Sequence, residues 1–151
     1  MSVRRTVLGA VALLACVYGM ARADLWLRAR SACLEGDKWM EWSRRPELKK
    51  AHFDLEMEAR VRALDADLAA GRLDKIAYDR KAALARFERD QAVAESSLKY
   101  AFVWYQTAAE LFSPPENRWT VEARAKMKDA RALWKKELDA QKVPYQDYML
   151  E

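Results

Sequence analysis

Residues 98–112 read LKYAFVWYQTAAELF, and this stretch decides how the chain folds. Wound as an α-helix, it carries Leu98, Ala101, Phe102, Tyr105, Ala109 and Phe112 on one stripe. Tyr100, Val103, Trp104 and Leu111 form a second stripe on another side. A helix that is apolar around most of its circumference must be enclosed by other helices or by a partner. The segment is therefore expected at the centre of an all-α fold.

The surrounding chain supplies the enclosing helices. Downstream, Ser113-Pro114-Pro115-Glu116 ends the segment, and Ser113 with Glu116 reads as a capping box for a last helix running to about Gln141. Trp119, Ala123, Met127, Ala130, Trp134 and Leu138 mark its buried face. Upstream, a first helix runs from near Asp24 to Trp42, and Pro46 suits the first turn of a second one over about 47–69. Phe53, Met57, Val61, Leu64 and Leu68 share a face of that helix, and Gly71 is placed to end it. A third helix is expected unbroken from about Asp74 to Phe112. The short turn at Gly71 makes helices two and three an antiparallel hairpin, so the fold is a bundle of about four helices in antiparallel hairpins. No β-like alternating run bounded by turns is present in the sequence, which has only four Gly and four Pro.

Ala101, Tyr105 and Ala108, then Pro114, then Trp119 and Ala123, resemble the second helix of a tetratricopeptide repeat leading into the first helix of the next. The resemblance covers about residues 98–125. Glu122 and Lys126 stand where that family carries apolar residues, and no second copy follows at the repeat's period. The resemblance implies a protein-binding scaffold without catalysis. Leu64 to Leu84, with Gly71-Arg72-Leu73 and Tyr78, also resembles short bacterial helical hairpins found beside membrane anchors.

The N-terminus addresses the chain to a membrane. Arg4 and Arg5 precede an uncharged run from Thr6 to Ala21, and Ala21-Arg22-Ala23 closes it. Three readings fit. A basic start, an apolar middle and a small-x-small end make a secretory signal cleaved near Ala23. Kept, the run is an anchor of about 24 Å against a hydrocarbon core of about 30 Å, with Arg5 and Arg22 snorkelling and Trp26 at the interface. The anchor's lipid-facing residues are then Val7, Leu8, Leu13, Leu14, Val17, Tyr18 and Met20. Third, Leu13-Leu14-Ala15-Cys16 resembles a lipobox with Cys16 as the lipidated residue.

The same leader reassigns the charge. The chain carries 27 basic and 23 acidic residues, a net of +4. Setting aside Arg4, Arg5 and Arg22 leaves 24 basic residues against 23 acidic ones. No sustained basic face remains for nucleic acid. The local exception is Arg28 to Lys50, where seven basic residues face four acidic ones just beyond the leader, within reach of lipid headgroups.

The chemistry-bearing residues are sparse. His52 is the single histidine, Cys33 the single cysteine beyond the leader, and no spacing pairs them as nucleophile and base. Asp54, Glu56 and Glu58, or Asp65 with Asp67, are flanked by basic residues and read as solvated helix faces. No Gly-rich phosphate loop, nucleophile elbow, haem-attachment motif or paired Glu-x-x-His motif is present, so no catalytic residue, cofactor or metal site is expected. Aromatic residues are abundant instead, with six Trp and six Tyr. Tyr100, Trp104, Trp119, Trp134, Tyr145 and Tyr148 are the expected partner contacts, since Tyr and Trp concentrate at interfaces.

The sequence therefore reads as a leader or anchor at 1–23, a helical domain at 24–142 and a tail at 143–151. The expected function is a non-catalytic accessory or scaffold subunit of a bacterial envelope assembly. It would be anchored in the inner membrane facing the periplasm, its partners being other subunits and the membrane. The alternative is a soluble periplasmic carrier or chaperone, cleaved near Ala23, with an apolar groove between helices.

Overall fold

The computed structural model describes residues 3–147, with side chains from residue 7 onward. Secondary structure among the described residues is helical throughout: α1 (Val3–Arg44), α2 (Pro46–Ala69), α3 (Lys75–Ala94), α4 (Ser97–Gln106) with a π-helical turn at Thr107–Leu111, and α5 (Arg118–Ala140). Tyr148, Met149 and Leu150 lie outside the described residues. The chain divides into two compact units, one made of residues up to Met40 and from Leu98 on, the other of Glu41–Ser97.

The core of the first unit is built from small residues around two aromatic ones. Ala32, Cys33, Met40, Ala101, Phe102, Tyr105, Ala108, Ala109, Ala123 and Ala130 are buried together. Trp39, Leu98, Trp104, Phe112, Trp119, Met127 and Trp134 pack around them, each partly buried. Alanines at helix contacts let the axes approach closely, and the large rings then fill the flanks. Adjacent Ala108 and Ala109 of the π-helical turn are both in this core.

α5 begins four residues later than the capping box at Ser113 implied. Asn117 is the N-cap: its side chain accepts from Trp119 N at 2.9 Å and Thr120 N at 3.2 Å, and Thr120 Oγ1 accepts from Asn117 N at 2.9 Å. Pro115 steers the residue before it toward extended backbone, so the helix cannot start at Pro114. At the other end, Lys142 adopts φ 55°, and Lys142 N and Val143 N donate to Asp139 O and Leu138 O. That is a Schellman turn with lysine where glycine is usual.

In the second unit α2 begins at Pro46, as the sequence implies, and packs against α3. Gly71 at φ 68° ends α2, with Gly71 N donating to Leu68 O and Arg72 N to Asp67 O. Asp74 caps α3 through Ala77 N at 2.7 Å. Asp54 pairs with Arg89, Arg60 with Glu88, and Asp65 with Tyr78.

The expected unbroken third helix is two helices. α3 stops at Ala94, Glu95 is extended, and α4 starts at Ser97. Lys49, only 3% exposed, is bonded to the carbonyls at this break. Its ammonium donates to Val93 O at 3.1 Å and Glu95 O at 2.5 Å. A cation on the last carbonyls of a helix satisfies them and complements the dipole.

Candidate functional site

α1 is one unbroken helix, and its first described turns differ from the rest. Over Val7 to Met20 every described side chain is exposed, including Val7, Leu8, Leu13, Leu14, Val17, Tyr18 and Met20. The helix is long and apolar enough to be a membrane anchor or a signal sequence, and none of its most apolar 18-residue window is buried. Cys16 is exposed on this segment. Arg22 donates to the Tyr18 hydroxyl at 3.0 Å at its end. From Ala29 the same helix enters the core of the first unit.

Where α1 meets α4 and α5, a polar cluster sits against the apolar core. Gly36 leaves room for the Tyr105 ring; a Cβ there would lie 2.5 Å from two ring carbons. The Tyr105 hydroxyl donates to Asp37 Oδ1 at 2.7 Å. Lys126 Nζ donates to Asp37 Oδ1 and Oδ2 at 2.8 and 2.9 Å and pairs with Glu122 at 2.7 Å. Burial pushes the Lys126 amine down, but its bonds to Asp37 and Glu122 outweigh that and hold it above its ordinary range.

Cys33 completes the cluster. It is fully buried, and its thiol is pushed up to about 11, mainly by desolvation, with Lys126 opposing and Asp37 and Glu122 assisting. The thiolate is the nucleophilic form, so at neutral pH this thiol is inert. Potential ligand atoms of Cys33, Asp37 and Glu122 lie within 4.8 Å of one another. The cation that serves both carboxylates is the Lys126 ammonium. Two carboxylates share this one ammonium, with Arg118 4.0 Å from Glu122, and the cluster ties α1 to α5 while the Tyr105 hydroxyl ties α4 to Asp37.

His52 faces Glu56 at 3.4 Å and lies beside the Trp42 and Phe53 rings within the second unit. The carboxylates read as solvated faces each have a partner: Asp54 takes Lys50 and Arg89, Glu58 takes Arg62, and Asp67 takes Arg72.

The expected contact residues are partly committed to the fold. Tyr100 stacks on Trp39 with centroids 4.6 Å apart. Trp104 packs on the core, Trp134 lies against Phe102 at 5.8 Å, and Trp119 meets Trp26 edge to face at 6.3 Å. Each of the four keeps part of its surface in solvent. Tyr145 is half-buried, and desolvation followed by a bond to Asp139 raises its phenol. The described part of the tail is held on α5, with Lys135 Nζ on Asp147 Oδ1 at 2.5 Å and Arg131 donating to Asp147 O at 3.2 Å. Asp37, Lys126 and Lys49 were missed as site residues in the sequence. Only the polar intrusions of Glu122 and Lys126 into an otherwise apolar repeat pattern signalled the cluster.

No protein-family model, curated protein or solved structure matches this chain. Of the residues that resemble a tetratricopeptide repeat, Ala101, Tyr105, Ala108 and Ala123 lie in one core.

Proposed function

We propose that this chain is a non-catalytic accessory or scaffold subunit of a membrane-associated bacterial envelope assembly. In this reading α1 is retained in the inner membrane, and the helical hairpins face the periplasm. The observation that carries it is the exposed apolar length of α1, continuous with a packed domain. Burying a large apolar side chain contributes about 1.5–3 kcal/mol. Seven such residues together exceed about 10 kcal/mol, comparable to the stability of a whole domain. A segment of that kind belongs in lipid or against a partner. The inert Cys33, and the commitment of Asp37 and Glu122 to ion pairs with Lys126, favour a scaffold over an enzyme.

The partner contacts in this proposal are the exposed parts of Tyr100, Trp104, Trp119 and Trp134, with Tyr145 and Tyr148 on the tail. Membrane attachment would hold them near the partner at high effective concentration. In mild detergent the chain should elute in a species much larger than itself. Alanine at Tyr100 and Trp104, or removal of 143–151, should release it. A chain that elutes alone in mild extracts contradicts the reading.

A groove between α2 and α3 favours the carrier as second reading. It measures about 330 Å³ and is lined by Ala63, Leu64, Leu84 and Ala85 with Arg60, Lys81 and Glu88 at its edges. Reversible binding of an apolar probe by a soluble chain beginning at Asp24 would favour that reading.

A further inference from the structure

We propose that Trp26, Arg28, Arg30, Arg118 and Trp119 form a collar that docks on the anionic lipid headgroups of the membrane holding α1. The inference rests on the anchor reading and adds a second point of attachment from a distant part of the chain. Spanning the hydrocarbon takes about 20 helical residues. Counted from the start of the uncharged run at Thr6, that length ends at about residue 25. The collar begins at the next residue, Trp26, which is 42% exposed.

α5 is brought to the same level by packing. Trp119, the second residue of α5, meets Trp26 edge to face at 6.3 Å. The Arg30 and Arg118 guanidinium groups lie over the Trp119 ring at 5.7 and 4.6 Å. Both cations are thus held over the Trp119 indole by cation–π attraction. The indole Nε1 of Trp119 is buried and has no acceptor among the described residues.

Charge selects the partner. Arg28, Arg30 and Arg118 supply three cations to the collar, and Arg28 also pairs with Asp24 at 2.7 Å. Of the nearby carboxylates, Glu116 pairs with Arg124 at 2.5 Å, and Glu122 pairs with Lys126 at 2.7 Å and lies farther from Arg118, at 4.0 Å. Arginine and tryptophan together, at the depth where a bilayer carries its phosphates, fit an anionic headgroup. Two attachment points would fix the tilt of the domain as well as its tether.

The test uses the full chain in bilayer nanodiscs of phosphatidylcholine alone or mixed with increasing phosphatidylglycerol. Headgroup-level spin labels quench tryptophan, and subtraction of a Trp119→Phe variant isolates Trp119. Circular dichroism checks that each variant keeps its helices. The expected result is Trp119 quenching that rises with phosphatidylglycerol. The Arg30→Gln/Arg118→Gln variant should need about tenfold more of that lipid for the same quenching. An inserted chain whose Trp119 is unquenched in every lipid, or equally quenched in all, overturns the collar and leaves the anchor standing. A chain that does not insert overturns the anchor and the collar with it.

Discussion

Tyr105 donates its hydroxyl to Asp37 at 2.7 Å across 68 positions of sequence, and this bond joins the centre of the fold to α1. Gly36, one residue before Asp37, is what lets the ring come so near. Gly36→Ala puts a methyl 2.5 Å from two ring carbons of a fully buried side chain. Overpacking of this kind costs about 1–3 kcal/mol. Urea unfolding in detergent should show that loss, and Gly36→Ala combined with Tyr105→Leu should recover part of it. An unchanged midpoint for the single variant would refute the close packing.

Alkaline pH should weaken the fold through Cys33. Its folded thiol titrates at about 11, above the reference value of 9.0. The unfolded chain therefore loses this proton first, and the stabilisation is complete below about 9 and lost as pH rises toward 11. The raised Lys126 amine acts in the same direction. In a Cys16→Ser background, Cys33 should resist thiol reagents at pH 8 until the chain unfolds. Cys33→Ala should flatten part of the alkaline decline in stability.

Lys49 should behave as a core residue despite its charge. Lys49→Met keeps the aliphatic stem and leaves Val93 O and Glu95 O without their donor. An unsatisfied buried group costs about 1–3 kcal/mol. Amide exchange should speed up at the α3–α4 junction of this variant, while Lys50→Met, which removes an exposed ion pair to Asp54, should change stability by well under about 1 kcal/mol.

Lys142→Gly should stabilise the end of α5. Lysine at φ 55° carries a side-chain penalty that glycine lacks, about 1 kcal/mol. Lys142→Val should be worse than the parent, because a β-branched residue resists this backbone region. Thermal unfolding compared across the three chains decides the order.

Much of the helical framework was legible from periodicity and punctuation. The stripe from Leu98 to Phe112, the Pro46 start, the Gly71 turn and the apolar leader all act through local chemistry that the sequence carries openly. The break after Ala94 was not legible, because the group that satisfies it is a lysine 44 residues away bonded to Val93. The start of α5 was misplaced because Ser113 and Asn117 are both good caps, and the two prolines between them select the later one. The polar cluster was hidden for a related reason. Asp37, Glu122 and Lys126 are ordinary surface residue types, and only the packing of α1 near α5 brings these half-buried side chains together.

The most direct test of the anchored subunit is the intact mass of the chain purified gently from membrane and soluble fractions, with companion chains recorded. The account predicts the full chain of 17.5 kDa in the membrane fraction with stoichiometric companions. A soluble, solitary chain whose mass begins at Asp24 would contradict it.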